Sequence, residues 1–255
     1  MKRMMFVLVG LMVAVGFSAA ACAWLPGYPS AKIRYKMTVE VDTPEGIKAG
    51  FAVREISMVS RPMLLGVSND THVKLEKGEA VVVDLGQRGV LFATLGSATD
   101  SVWTLLNAFP SPCAEGAVSR CSVKYYSSLK VGEKAQLPAR YYPMFVAFED
   151  LNDPKSAKNV LEMKSCPDPA TGIPNNSRCV EKDRFEEIFG QGVRLRSVTV
   201  EVTDADVETV VQRILPWLPD YYDKRLDGQR FGSSDAEYKF ANRLSSGAFS
   251  SGVKK

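Results

Sequence analysis

The chain has 255 residues and a formal net charge of +3, from 32 Lys and Arg against 29 Asp and Glu. This length suits one large domain or two small ones, and one is favoured. No long basic run follows Lys2 and Arg3, which argues against nucleic acid as a partner. The only histidine is His72, which excludes metal sites built from several imidazoles.

Residues 1–21 predict a secretory signal peptide. Lys2 and Arg3 supply its positive start, and the apolar run at 4–17 has the length of a signal-peptide core. A membrane-spanning helix would need about 20 apolar residues. Because this run ends in the small residues 18–21, we expect cleaved export rather than an uncleaved anchor.

Cys22 is the predicted first residue of the mature chain and a predicted lipidation site. The segment Ala19-Ala20-Ala21-Cys22 resembles a bacterial lipobox. A larger apolar residue is more usual at the Ala19 position, so ordinary cleavage after Ala21 stays open. A free Cys22 would be an exposed reactive thiol, which favours acylation.

Four further cysteines predict two disulfides in an oxidising compartment. Cys113 with Cys121 and Cys166 with Cys179 are the local pairs, and each would close a short loop rich in turn-forming residues. A four-cysteine zinc site is the alternative. Neither spacing fits the usual C-x2-4-C pattern, so disulfides are favoured.

A single domain is predicted over 33–245, after a linker at 22–32. Alternation of apolar and polar residues predicts a hairpin from Ile33 to Ile56, with its turn at 43–46. A second hairpin is predicted at 80–95, whose apolar arms suit central strands.

The middle of the chain predicts a short helix at Asp100–Phe109 and a buried strand at Met144–Phe148. Asp153 before Pro154 predicts the start of a helix that continues to Met163.

Further elements are predicted towards the C terminus. A helix at Glu181–Phe189, ended by Gly190, is followed by a strand at Val193–Val202. Predicted next are a helix at Thr203–Leu215, a helix at Ser234–Leu244 and a flexible tail at 246–255. Because strands and helices alternate without a βαβ repeat, we predict an α+β fold, with antiparallel hairpins forming a sheet and short helices packed on it.

Two groups of residues are candidate binding sites. The oxygen ligands Glu149, Asp150, Asn152 and Asp153 are weak calcium candidates, because Pro154 breaks the loop and helix capping explains Asp153 without an ion. Aromatic side chains are candidates for a ligand cleft or a protein interface, with core packing as the alternative. These are Tyr125, Tyr126, Tyr141, Tyr142, Trp217, Tyr221 and Tyr222.

Motifs for common catalytic sites are missing. His72 lies in a polar stretch typical of a solvated turn. Ser127 and Lys130 match the S-x-x-K spacing of serine acyl-transfer enzymes, but no helix is evident there and the partner motifs are missing. No nucleophile elbow, Walker loop or zinc-hydrolase motif occurs, and no cofactor is predicted.

Most of the chain after the signal resembles a family of uncharacterised exported proteins of proteobacteria. The similar stretches are KIRYKMTVEVDTPEGIKAG, KGEAVVVDLGQRGVLFATL, MFVAFEDLNDPKSAKNV and FGQGVRLRSVTVEVTDADVE, closed by LPWL at 215–218. The resemblance implies no activity, cofactor or catalytic residue.

The sequence therefore predicts a non-enzymatic envelope protein, lipid-anchored in the periplasm or at the outer membrane, that binds another envelope protein. The alternative is an envelope hydrolase with an unfamiliar carboxylate site. Two acids facing each other in a cleft, one with a raised pKa, would favour the hydrolase.

Overall fold

A computed structural model describes residues 29–62, 69–96, 98–114, 118–167, 174–231 and 240–253. The predicted signal peptide and Cys22 lie outside these residues. The strands of the described chain are β1 (Ser30–Thr43), β2 (Gly46–Pro62), β3 (Asn69–Lys77), β4 (Val81–Asp84), β5 (Val90–Ala93), β6 (Lys134–Gln136), β7 (Phe145–Phe148), β8 (Ala157–Asn159), β9 (Leu161–Pro167), β10 (Pro174–Asp183) and β11 (Arg194–Val202). The helices are α1 (Ala98–Ala108), α2 (Arg120–Ser128), α3 (Phe185–Phe189) and α4 (Val211–Ile214), with short 3-10 turns between elements.

The largest sheet has five antiparallel strands in the order β3-β2-β1-β11-β6. Its central strand, β1, buries every second side chain from Ala31 to Val41, because alternate residues of a strand point to opposite faces. The first predicted hairpin is confirmed and is longer than expected.

A second sheet, in the order β4-β5-β7-β8, packs against the inner face of the first. The two sheets come into close contact where β2 crosses β4. A Cβ atom on Gly50 would lie 1.9 Å from the carbonyl oxygen of Val82. Gly50 is therefore required for this contact, since any side chain there would collide with backbone.

The described residues at 210–231 and 240–253, which we call the C-terminal layer, cover the other face of the second sheet. Phe249 is completely buried there, against Phe92 of β5 and beside Leu226. The predicted flexible tail at 246–255 is wrong for residues 246–253. The composition of residues 246–253 is that of a loop. The buried Phe249 ring and a few backbone hydrogen bonds hold this segment in place.

Two buried charged side chains, Arg54 and Glu79, link the layers. Arg54 donates hydrogen bonds to the carbonyl oxygens of Glu79, Ala93 and Thr94. The Glu79 carboxylate, only 2% exposed, accepts hydrogen bonds from the segment that covers the second sheet. Its donors are the N–H groups of Val210 and Val211 and the hydroxyl of Ser250.

One predicted helix is wrong, and the helix predicted at Thr203–Leu215 is confirmed only at its end, as α4. The chain after Asp153 makes one 3-10 turn and then pairs with β7 as β8, although Asp153 does cap that turn by accepting the Lys155 N–H. The chain from Thr203 to Val210 is not helical. Arg34 of β1 binds the carbonyl oxygens of Asp204 and Ala205, and these tertiary bonds hold the segment on the sheet.

Other predictions are confirmed in part. The second hairpin, the helix after Gly96 and the strands at 145–148 and 194–202 are present. Of the helix predicted at 181–189, the first residues belong to β10, and α3 ends as expected at Gly190, which has a φ of +97°. The helix predicted from Ser234 lies largely outside the described residues.

The architecture is thus broadly α+β, with antiparallel sheets and short helices. The sequence predicts one sheet, but the structure has three. The two predicted hairpins belong to different sheets, and β9 and β10 form a third, two-stranded one. Within the described ranges, no helix is long and apolar enough to cross a membrane.

Candidate anion-binding groove

Three cavities of about 400, 440 and 560 Å³ share Met144 in their walls. They lie between α1, the segment that leads into β7, the β9–β10 hairpin and the C-terminal layer. We call them together the Met144 groove. Each cavity alone has the size typical of a ligand site.

Five guanidinium groups line the Met144 groove, and four of them share one property. Arg140 precedes β7, Arg178 lies on β10, and Arg225 and Arg243 belong to the C-terminal layer. None of the four forms an ion pair with a carboxylate of the described chain. Arg184, at the end of the groove, differs because its guanidinium pairs with Glu187 at 2.6 Å.

Aromatic rings stand beside these cations. Trp103 of α1 is 41% exposed, and Tyr141 is exposed with the Arg140 guanidinium 5.0 Å from its ring centre. Tyr142 is half-buried and packs edge-on against Phe145, with ring centres 6.1 Å apart. Burial raises the pKa of Tyr142, so its hydroxyl keeps its proton at neutral pH.

Asp100 contributes a carboxylate to two of the three cavities, those of about 400 and 560 Å³. It lies in the first turn of α1, where a negative charge is favourable. Gly96 has a φ of +69°, and a Cβ atom on it would lie 2.4 Å from the Asp100 carboxylate. Gly96 therefore sets the entry of the chain into α1 at the floor of the groove.

The two carboxylates that line the cavity of about 440 Å³ both form ion pairs. Glu162 lies 3.6 Å from Arg184, and Glu181 lies 3.6 Å from Lys164. Among the described residues, the carboxyl groups with shifted pKa values all shift downwards, and a hydrolase acid needs the opposite shift. They are Asp42, Glu45, Glu55, Glu76 and Glu187. The geometry gives no support to the hydrolase alternative.

The structure brings only part of the predicted aromatic set to this site. Tyr141 and Tyr142 line the groove, but Trp217 and Tyr221 pack edge-to-face in the C-terminal core, with ring centres 5.5 Å apart. Tyr222 is 52% exposed and lines none of the three cavities.

The first tyrosine pair belongs to the core. Tyr125 and Tyr126 lie on helix α2 rather than on a strand, so their rings are not on opposite faces. Tyr126 is 1% exposed, and burial raises the pKa of its hydroxyl to about 12.

The calcium candidates are engaged in local bonds. The Asp150 carboxylate accepts the Asn152 backbone and side-chain N–H groups, Asp153 caps the following turn, and Glu149 pairs with Lys158. Across the residues that the structure describes, no group of three or more acidic, cysteine or histidine side chains has a metal-binding arrangement.

The remaining catalytic candidates are not assembled into a site. His72 lies on strand β3 and not in a turn. The Ser127 hydroxyl donates to the Lys124 carbonyl oxygen at the end of α2, and Lys130 lies beyond the helix. The helix that the sequence did not show is present, but it ends before the lysine.

Both predicted disulfides are confirmed, with Cα–Cα distances of 6.0 Å for Cys113–Cys121 and 5.3 Å for Cys166–Cys179. They indicate an oxidising, extracytoplasmic environment. The second disulfide joins β9 to β10 next to Arg178, and so restrains the strand that carries one of the groove cations.

The sequence does not reveal the four groove arginines. Arg140 and Arg243 are separated by more than one hundred positions, and none of the four belongs to a basic run or a periodic pattern. Sequence spacing carries no signal for a site that only the packing of the C-terminal layer assembles.

No family model, curated protein or solved structure matches this chain. The resemblance to exported proteobacterial proteins therefore stays a prediction. A function for this chain can be argued only from the geometry of its described residues.

Proposed function

We propose that the protein is an extracytoplasmic binding protein that takes an anionic ligand in the Met144 groove. The observation that carries this proposal is the convergence of Arg140, Arg178, Arg225 and Arg243 on one open groove without partner carboxylates among the described residues. A protein stabilised only by its own contacts has no need for such an arrangement, because like charges brought together repel.

Guanidinium groups suit this task. Each one is planar, stays charged at all relevant pH values and offers several donors that match a carboxylate or phosphate in pairs. The Arg140 guanidinium lies over Tyr141, and the Arg225 guanidinium lies over Phe231, 4.6 Å from its ring centre; neither pairs with a carboxylate of the described residues. Both groups keep donors for a ligand.

The proposed location follows from the sequence. Export by the signal at 1–21 and acylation of Cys22 would place the groove at a membrane surface in the envelope. Anionic groups are common on envelope components, so the predicted role as a binding module acquires a stated chemistry. The partner is then an anion-bearing component of the envelope, such as a protein that carries an acidic polymer.

The test compares two double variants with the same loss of charge. Arg178→Gln with Arg243→Gln removes two groove cations, whereas Arg120→Gln with Arg213→Gln removes two exposed cations outside the three cavities. The probe is inorganic polyphosphate, and its affinity for the mature, disulfide-bonded protein is measured by calorimetry.

We expect the groove variant to bind about 10- to 100-fold more weakly, since a hydrogen bond to a charged group contributes about 1.5–3 kcal/mol. The control should stay within about twofold of the unmodified protein, because its cations are too far from the bound anion to escape screening. An equal loss in both variants would show that binding follows net charge alone and would overturn the proposal.

A further inference from the structure

We infer that the natural ligand of the Met144 groove is an acidic carbohydrate, an oligosaccharide that carries carboxylate or phosphate groups. This inference rests on the proposed function and names its ligand class. It depends on the exposed rings of Trp103 and Tyr141, which line the same cavity as the Arg140 and Arg178 guanidiniums.

The cavity of about 400 Å³ that Trp103 and Asn107 of α1 line is called the α1 cavity. Its side chains match the two kinds of surface on a sugar acid. The C–H face of a sugar ring is apolar and packs on an aromatic face, and its acid group binds a guanidinium. Its hydroxyl groups need partners that both donate and accept. The Asn107 amide on the same wall offers both functions.

The extent of the groove favours a chain of several units over a single small anion. The C-terminal cavity is the one of about 560 Å³ that Arg225 and Arg243 line. Its walls share Leu95, Gly96, Asp100 and Met144 with those of the α1 cavity. A ligand that reaches both Arg178 and Arg225 must therefore span two adjoining cavities. An inorganic ion would fill only a small part of either one.

Two other extended anions are less favoured. Single-stranded nucleic acid also combines stacking with phosphate contacts, but it does not suit the extracytoplasmic environment that the disulfides indicate, nor a net charge of +3 without a basic run. A peptide of Asp and Glu would bind the cations, but these side chains offer no ring for Trp103. Both enter the experiment as competing probes.

The experiment measures the affinity of the disulfide-bonded protein for five probes by calorimetry. They are oligogalacturonate, poly-L-glutamate with the same number of carboxylates, inorganic polyphosphate, a neutral oligosaccharide of equal length and oligothymidylate. Trp103→Ala is compared with Phe51→Ala, which removes an exposed ring on β2 outside the groove. Circular dichroism checks that both variants are folded.

We expect oligogalacturonate to bind at least tenfold more tightly than poly-L-glutamate and the neutral oligosaccharide. Trp103→Ala should weaken the binding of oligogalacturonate about tenfold, a typical effect of losing one stacking ring. It should weaken polyphosphate binding less than oligogalacturonate binding, because polyphosphate has no ring to pack on Trp103, and Phe51→Ala should change neither.

The two proposals fail in different ways. Equal affinities for the sugar acid and for poly-L-glutamate, with no effect of Trp103→Ala, would overturn the carbohydrate inference and leave anion binding in place. Tightest binding of oligothymidylate would overturn it in favour of nucleic acid. Failure of every anionic probe to bind would overturn the proposed function as well.

Discussion

The outer face of the five-stranded sheet and the Met144 groove both present arginines to solvent, and they differ in what surrounds them. On the sheet, Arg34 lies 2.9 Å from Glu55, and Arg194 and Arg196 lie 3.2 and 3.0 Å from Asp42. In the groove, Arg140 and Arg225 stand next to aromatic rings, and they, Arg178 and Arg243 lack partner carboxylates among the described residues.

This difference separates two uses of one residue type. Cross-strand pairs of opposite charge stabilise a sheet and fix its register, so the arginines of β1 and β11 have a structural explanation. Within the described ranges no carboxylate pairs with Arg140, Arg178, Arg225 or Arg243, so internal ion pairs there do not explain their convergence. We propose that an external anion explains their placement, and variants of both regions test this contrast.

The largest effect is expected at Glu79, which fixes the layer that carries Arg225 and Arg243. Glu79→Ala should lower the free energy of unfolding by about 3–5 kcal/mol, because it leaves two buried N–H groups and one hydroxyl without an acceptor. Chemical denaturation measures this loss. Hydrogen exchange should show the protection of residues 246–253 falling more than that of β1.

Glu79→Gln is the matched variant, because it keeps the shape and one acceptor oxygen. We expect it to lose about half as much stability as Glu79→Ala. If both variants unfold like the unmodified protein, or if β1 loses protection together with 246–253, the C-terminal layer is not held by Glu79 in the way that its hydrogen bonds indicate.

The same layer shows why the sequence predicts one half of the molecule better than the other. Strong alternation marks β1, and the loop cysteines mark their own disulfides, because these signals are local. The burial of Phe249 and the non-helical path of residues 203–210, where Arg34 binds two carbonyl oxygens, depend on distant contacts. These contacts override the helix predicted before α4.

The candidate site is predictable only in part. Tyr141 and Tyr142 stand out in the sequence as adjacent aromatic rings, and the structure places both at the groove. Trp103 does not stand out, because it lies within a helix whose apolar face belongs to the core. The four groove arginines cannot be predicted from the sequence, since they are isolated residues of a chain with 32 basic residues and follow no distinguishing pattern.

A smaller change in the free energy of unfolding distinguishes the sheet arginines from the groove arginines, which lack ion-pair partners among the described residues. Glu55→Gln removes the buried carboxylate that binds both Lys32 and Arg34, and should lower the free energy of unfolding by about 1–3 kcal/mol. Arg243→Gln removes a charge that has no partner among the described residues, and should change it by less than about 0.5 kcal/mol. Urea denaturation at neutral pH measures both; equal losses would contradict the distinction between structural and ligand-binding arginines.

The smallest effect is expected from acid titration of the ion pairs at the chain turns. The Arg88 guanidinium lowers the pKa of Glu45 from 4.5 to about 2, and Arg184 lowers the pKa of Glu187 to about 2. A carboxyl group with a lowered pKa in the folded state stabilises the protein above its unfolded pKa. Its contribution is therefore complete above about pH 4.5 and is lost as the pH falls towards about 2.

The urea midpoint should accordingly fall between about pH 5 and about pH 2.5, and less steeply in the Glu45→Gln, Glu187→Gln double variant. Other acids with lowered pKa values, Asp42 and Glu55 among them, keep part of the slope in that variant. Binding of a sulfated polymer, which stays charged at these pH values, should persist until the protein unfolds, because guanidinium groups do not titrate there. Loss of that binding while the protein is still folded would show that the groove depends on a titrating acid, and would remove the contrast between the paired sheet and the unpaired groove.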